Sequence, residues 1–316
     1  MSQSNSRALV LFPGALGDFL LFLPTLFGLA NRHARILLVA RSEWTALLDH
    51  PRIRCWPLDH PAVIALFSES FHASHWREPL DGVEQVYSWT GHTVEHFSTN
   101  LAKLIGREPA VFPFRAFRPK EHAAEYYARC AGISPAKPAE IVPYLRAHPS
   151  PLMERLQADR TPLLAVHPGS GATRKNWQGF SSLVARWKRS TGGHVVVLLG
   201  PAEVERGVRV LSGDVELVGR PLPEVAAVLR SASCYVGNDS GVSHLAAILG
   251  TRGVVVMGPY STPEHWRPLG NCLAIAYAAA PCGRCGPDVF CEHLIDSGHV
   301  LELLDRRNFS VQPEDA

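Results

Sequence analysis

Short apolar runs recur along this chain, each closed by Gly or Pro and followed by an amphipathic stretch of about 10–15 residues, and this pattern restricts the fold more than any other feature. Strands are expected at Ala8–Phe12, Ile36–Val39, Ile53–Trp56, Gln85–Ser88 and Ala110–Phe112, and again at Leu163–Val166, Val195–Leu199, Cys234–Val236 and Val254–Met257. Helices are expected between them at Asp18–Asn31, Thr93–Ile105, Lys120–Ala131, Gly179–Ser190, Glu203–Leu211, Leu222–Arg230 and Val242–Leu249. Unbroken β-branched and aliphatic runs are the mark of strands buried on both faces. Their alternation with helices calls for crossover βαβ units and parallel sheets. Residues 132–151 hold Pro135, Pro138, Pro143, Pro149 and Pro151 with few apolar runs, which reads as a linker. The expected product is a two-domain α/β chain, each domain with its own sheet, over 1–150 and 151–316.

Composition narrows the function classes. Hydrophobic residues at 46% and charged residues at 19% exclude a disordered chain. Thirty-one Lys+Arg against 29 Asp+Glu leave a formal charge of +2, which offers no basic surface for nucleic acid. The seven cysteines are an odd set and do not suggest a disulfide framework, so a reducing cytoplasm is expected. The polar segment 1–7 lacks the layout of a signal peptide. The longest apolar stretch, Phe19–Ala30, is interrupted by Pro24 and is too short to span a bilayer. Peripheral contact with the inner face of the cell membrane stays open on these grounds.

Four loops carry the chemistry-bearing residues. The first is Pro13-Gly-Ala-Leu-Gly-Asp18, between a strand and a helix. Gly14 and Gly17 permit a tight turn and close approach, while Asp18 is either an N-cap or a general base. The second is His167-Pro-Gly-Ser-Gly171 with Lys175 and Trp177. It is an ordinary βα turn or an anion-facing loop in which Ser170 and Lys175 meet phosphate. It lacks the ending of a P-loop. The third is Gly237-Asn-Asp-Ser-Gly-Val-Ser-His244. Asp239 and Ser240 suit a helix start, Gly241 admits a ligand, and the helix terminus favours phosphate. His244 faces either that ligand or the core. The fourth is Cys282-Gly-Arg-Cys285 with Cys291 and His293. These four donors suffice for a tetrahedral metal site, but Cys-x-His is an uncommon ligand spacing, and a reduced cysteine cluster without metal is the expectation.

Taken in order, Gly14-Ala-Leu-Gly-Asp18, the His167–Gly171 loop with Lys175 and Trp177, and Asn238-Asp-Ser-Gly-Val-Ser-His-Leu-Ala-Ala247 resemble glycosyltransferase family 9. These are the ADP-heptose:lipopolysaccharide heptosyltransferases and their relatives. Met257-Gly-Pro259 and the late cysteines are similar to that family too. The resemblance implies a GT-B architecture, with two Rossmann-like domains facing across a cleft. The N-terminal one would bind the acceptor and the C-terminal one the nucleotide-sugar. It also implies inverting transfer of a sugar, heptose in the best-known members, from an ADP-sugar to a lipopolysaccharide core or other glycan, with no required cofactor. Asp18 would be the base. Ser170, Lys175, Ser240, Gly241 and His244 would serve the donor phosphates, Asp239 either positions the helix start or contacts donor hydroxyls, and Glu203 either accepts from ribose hydroxyls or is an exposed residue of a helix start. One departure stands out: the basic residue common before the Gly-rich turn is here Phe12. Trp76, Trp89, His92 and His96 have no counterpart in the resemblance and read as core and surface residues.

Two other readings compete. One is a different GT-B sugar-nucleotide enzyme, an epimerase or hydrolase. The other is a non-catalytic sugar-nucleotide-binding protein, against which Asp18, Lys175 and His244 together argue.

Overall fold

A computed structural model describes residues 4–76, 82–148, 161–210 and 213–309. Pro149, Pro151 and Leu211 lie outside them. The chain divides into two compact units, 1–146 and 147–316.

The first unit is built on five parallel strands: β1 (Ser4–Leu11), β2 (His33–Ala40), β3 (Ile53–Pro57), β4 (Val83–Ser88) and β5 (Ala110–Val111). Their order is β3-β2-β1-β4-β5. The second unit has six parallel strands: β6 (Leu163–His167), β7 (His194–Leu199), β8 (Val215–Val218), β9 (Cys234–Asn238), β10 (Gly253–Met257) and β11 (Leu273–Tyr277). Their order is β11-β10-β9-β6-β7-β8. The strand order reverses at β1/β4 in the first sheet and at β6/β9 in the second. In open α/β sheets the carboxyl ends at such a switch point form the ligand crevice. Central strands β6, β9 and β10 are buried throughout, as their unbroken apolar sequences require.

Helix Leu16–Arg32 follows β1 and buries nearly every residue from Asp18 to Ala30. It tolerates Pro24 inside it, and the Pro24 carbonyl accepts from the Ala136 N–H at 2.9 Å. That contact corrects the reading of 132–151 as linker. Ile141 and Leu145 are buried, and the close approach of Ile133 and Ser134 to Gly28 lays this segment along the helix. Apolar residues spaced among the prolines anchor a segment that its proline content alone marks as loop.

The helix expected at Glu203–Leu211 is shorter, at Pro201–Glu205, and is followed by Gly207 at φ +64°. Strands β8 and β11 and helix Ser297–Phe309 escape the sequence pattern. The two strands are sheet edges, half exposed, so they lack the continuous apolar run of a central strand. Among the described residues no helix is long and apolar enough to cross a membrane.

Candidate active site

In the first unit, the loop after β1 is set by Phe12. Its ring is fully buried, stacked on Phe22 at 4.1 Å and edge-on to Tyr127 at 5.2 Å and Trp89 at 6.2 Å. Gly14 passes over that ring so closely that a Cβ would stand 2.5 Å from Phe12 and 2.6 Å from the Asp18 Cβ. Gly14 is therefore needed for close approach, whereas Gly17 lies within the first helical turn. The Trp44 indole N–H donates to the Gly14 carbonyl at 3.1 Å and fixes the loop from outside.

Asp18 is the third residue of helix Leu16–Arg32, and Ala15 occupies the cap position. The N-cap reading is thereby excluded. Asp18 sits in the first turn, where the helix dipole favours an anion. It is only 5% exposed. Arg115 Nη2 donates to both its carboxylate oxygens, at 2.9 and 3.0 Å, from the loop after β5. The Tyr127 hydroxyl donates to Oδ1 at a long 3.5 Å. Burial, and then the charge of Asp18, push the Tyr127 hydroxyl well above the usual phenol range, so it remains a donor. The result is a buried, oriented carboxylate at the carboxyl edge of the sheet. Trp76 and Trp89 are core residues, and His96 meets Glu69 at 3.3 Å on the surface.

In the second unit, the loops after β6 and β9 are joined by Asn238, which is fully buried. Its Oδ1 accepts from the Trp177 N–H at 3.1 Å, and its Nδ2 donates to the Pro168 carbonyl at 2.6 Å. Asp239 then takes Lys175 Nζ at 2.7 Å and the Ser261 hydroxyl at 2.8 Å, both on Oδ2. Lys175 is thus presented on a fixed carboxylate, with about a quarter of its side chain open to solvent. Ser240 caps helix Gly241–Ile248, accepting from the Ser243 N–H at 3.4 Å. Gly241 is the first helical residue, so the orphan N–H groups of that turn lie beside Asp239 in sequence. Ser243 turns inward: its hydroxyl donates to the Asn238 carbonyl at 2.6 Å and lies 2.8 Å from the Tyr235 hydroxyl. His244 follows it and is buried on the first turn.

Two expected donor residues, Ser170 and Glu203, sit differently from one another. The Ser170 hydroxyl lies 2.7 Å from the Ala172 carbonyl and 2.7 Å from the Asn176 amide oxygen, so it closes its own loop. Glu203 is buried and not the exposed helix residue of the alternative reading. One oxygen accepts from the Gly200 N–H at 2.9 Å and the other packs against Gly169, between the carboxyl ends of β6 and β7. His167 is a wall residue: its Nδ1 donates to the Leu198 carbonyl at 2.9 Å, and burial lowers its pKa, keeping the ring neutral.

Comparison with known proteins bears on this arrangement. Residues 135–288 match the family model described as glycosyltransferase family 9 (heptosyltransferase). Just under half of the chain thus matches glycosyltransferase family 9. No curated protein matches it. Among solved structures it resembles a family 9 glycosyltransferase from Veillonella parvula, at 18% identity and TM-score 0.73, with 98% of each chain covered. It also resembles the E. coli heptosyltransferase WaaC with ADP, at 18% identity and TM-score 0.63, covering 95% of this chain and 99% of that one. E. coli ADP-heptose lipopolysaccharide heptosyltransferase II follows at 19% identity and TM-score 0.63, covering 96% and 98%. The architecture of this glycosyltransferase is accordingly GT-B.

Several residues of this candidate site were not legible as site residues. Arg115 lies 97 positions from Asp18 in sequence, in an irregular loop. Its one signal is its place just past a strand end, where ligands gather in such sheets. Tyr127 lies on a helix whose apolar face gives no hint of its hydroxyl. Ser261, after β10, is a lone serine among many.

Proposed function

We propose that this glycosyltransferase transfers a sugar of the heptose class from an ADP-sugar to a lipopolysaccharide-core or other glycan hydroxyl, with inversion and with Asp18 as general base. The observation that carries the reading is the buried Asp18 carboxylate, oriented by Arg115 at the carboxyl edge of the first sheet. Inversion needs one carboxylate to take the acceptor proton as the sugar–phosphate bond breaks. Arg115 holds Asp18 in one orientation and leaves lone pairs on both oxygens for that proton.

The leaving nucleoside diphosphate gains charge, and groups already in place stabilise it best. Lys175, steadied by Asp239 and Ser261, and the N-terminus of helix Gly241–Ile248 suit that task in the second unit. Glu203, which accepts from the Gly200 N–H with one oxygen, would accept from ribose hydroxyls with the other. The N-terminal unit would then serve the acceptor and the C-terminal unit the donor. The ADP carried by the WaaC structure supports adenine as the donor base.

The test is Asp18→Asn, assayed for transfer and, by calorimetry, for ADP binding. Loss of transfer with ADP affinity kept is the expected result, and wild-type turnover would remove Asp18 as base. Calorimetry of the wild-type chain with ADP, UDP and GDP checks the nucleotide; preference for UDP or GDP overturns the ADP-sugar assignment.

A further inference from the structure

We propose that Cys282, Cys285, Cys291 and His293 form a structural site for one thiophilic divalent cation of the zinc and ferrous class. The sequence alone argued for a bare cysteine cluster. The structure instead gathers all four donors, with their ligating atoms within 4.8 Å of one another. A tetrahedral ion with Zn–S near 2.3 Å and Zn–N near 2.0–2.1 Å needs donors about 3.3–3.8 Å apart. Cys285 Sγ and His293 Nδ1, at 3.5 Å, already have that separation. The other donor pairs lie within 4.8 Å and would close by up to about 1 Å on binding.

The backbone is shaped for ligation as well. Cys282 and Gly286 form an antiparallel bridge, and Gly286 has φ +89°, so Cys282-Gly-Arg-Cys285 is a tight knuckle that points both sulfurs to one side. The backbone N–H groups of Arg284 and Cys285 donate to the Cys282 sulfur. Such donors suit a ligating thiolate. All three thiols are free, and Cys282 and Cys291 are buried. Three thiols and one imidazole are a donor set for zinc or iron rather than for magnesium or calcium.

A structural need accompanies the geometry. Residues 278–296 run without helix or strand between β11 and helix Ser297–Phe309. So long an irregular segment in a compact unit calls for a fastening. It nevertheless braces the phosphate-side loop. The Pro287 carbonyl accepts from the Tyr260 hydroxyl at 2.7 Å, the Phe290 carbonyl from the Gln178 N–H at 2.9 Å, and the Ile295 carbonyl from the Trp177 indole at 3.0 Å. Binding one ion displaces a proton from each of the three thiols, while the neutral imidazole supplies a lone pair. The ion would clasp the segment that steadies Trp177, and so Lys175 behind it.

The experiment uses the full chain purified under reducing conditions from metal-supplemented medium. Elemental analysis should find about one Zn or Fe per chain, as the one-site geometry requires. After removal of the ion, Co²⁺ should restore the intense ligand-field and thiolate charge-transfer bands of a tetrahedral site. Cys285→Ser and His293→Ala should lose the ion, and Cys130→Ser should keep it. Metal removal should lower the Tm by several degrees. As a measure that needs no variant, Zn²⁺ should protect three of the seven cysteines from alkylation. Absence of both metal and Co²⁺ bands in the reduced chain overturns the site. So does equal Co²⁺ uptake by wild type and variants, or a disulfide within the cluster of freshly purified protein.

Discussion

Gly14→Ala tests how the Asp18 carboxylate is held. A Cβ at residue 14 would stand 2.5 Å from the Phe12 ring and 2.6 Å from the Asp18 Cβ. Carbon atoms in contact prefer about 3.5–4.0 Å, so the overlap is about 1 Å on two sides. Neither neighbour can retreat easily. The Phe12 ring is clamped by Phe22, Trp89 and Tyr127, and the Asp18 Cβ is fixed to a buried helix. Overpacking of this kind costs about 1–3 kcal/mol, which lowers Tm by several degrees in a unit of this size. The relief that remains is a shift of the helix start by about 1 Å, and a catalytic group misplaced by that much loses roughly 10²-fold in rate. Thermal unfolding and steady-state transfer, run together, should show both losses, while calorimetry shows ADP affinity unchanged. Gly171→Ala, where an added Cβ meets nothing within 4 Å, supplies the steric comparison for stability. A Gly14→Ala chain with wild-type Tm and kcat would refute the reasoning.

Three further outcomes follow from the same geometry. Lys175→Ala should weaken ADP binding roughly tenfold to a hundredfold, the worth of one charge-assisted hydrogen bond at about 1.5–3 kcal/mol; unchanged affinity by calorimetry would remove Lys175 from the phosphate site. Ser243→Ala should cost about 1–3 kcal/mol by denaturant unfolding, because it strips a buried hydroxyl from both the Asn238 carbonyl and the Tyr235 hydroxyl. Burial lowers the pKa of His33, His50 and His167 below the ordinary 6.5. Below that pH the unfolded chain takes up protons that these rings refuse. Stability should therefore be full above pH 6.5 and fall as pH drops towards the depressed native values, with a limiting slope near 1.4 kcal/mol per pH unit for each ring. A Tm that rises between pH 7 and pH 5 would contradict this.

The central strands were legible because burial on both faces forces an unbroken apolar run, as in Val195–Leu199 and Val254–Met257. The loops that follow β1, β6 and β9 were legible because a strand, a Gly turn and a helix start are local in sequence. What escaped was non-local. Arg115 reaches Asp18, and Ser261 reaches Asp239, only through the order of strands in each sheet, which no window of sequence contains. Proline content misled at 132–145, where a few buried aliphatic residues outweigh the breakers around them. The approach of His293 to the cysteines was not legible from ligand spacing, since a knuckle followed by a buried Cys291 brings four donors together whatever the interval between the last two.

All strands of each sheet run the same way, so every residue assigned a chemical role lies along one edge of its sheet. The opposite edge carries turns such as Gly106 and Gly192, where φ is positive and an added Cβ would meet nothing. That edge is therefore open to engineering. A fluorophore, an affinity tag or a surface-immobilisation handle placed there rides on the same rigid strands as the working loops and leaves them untouched.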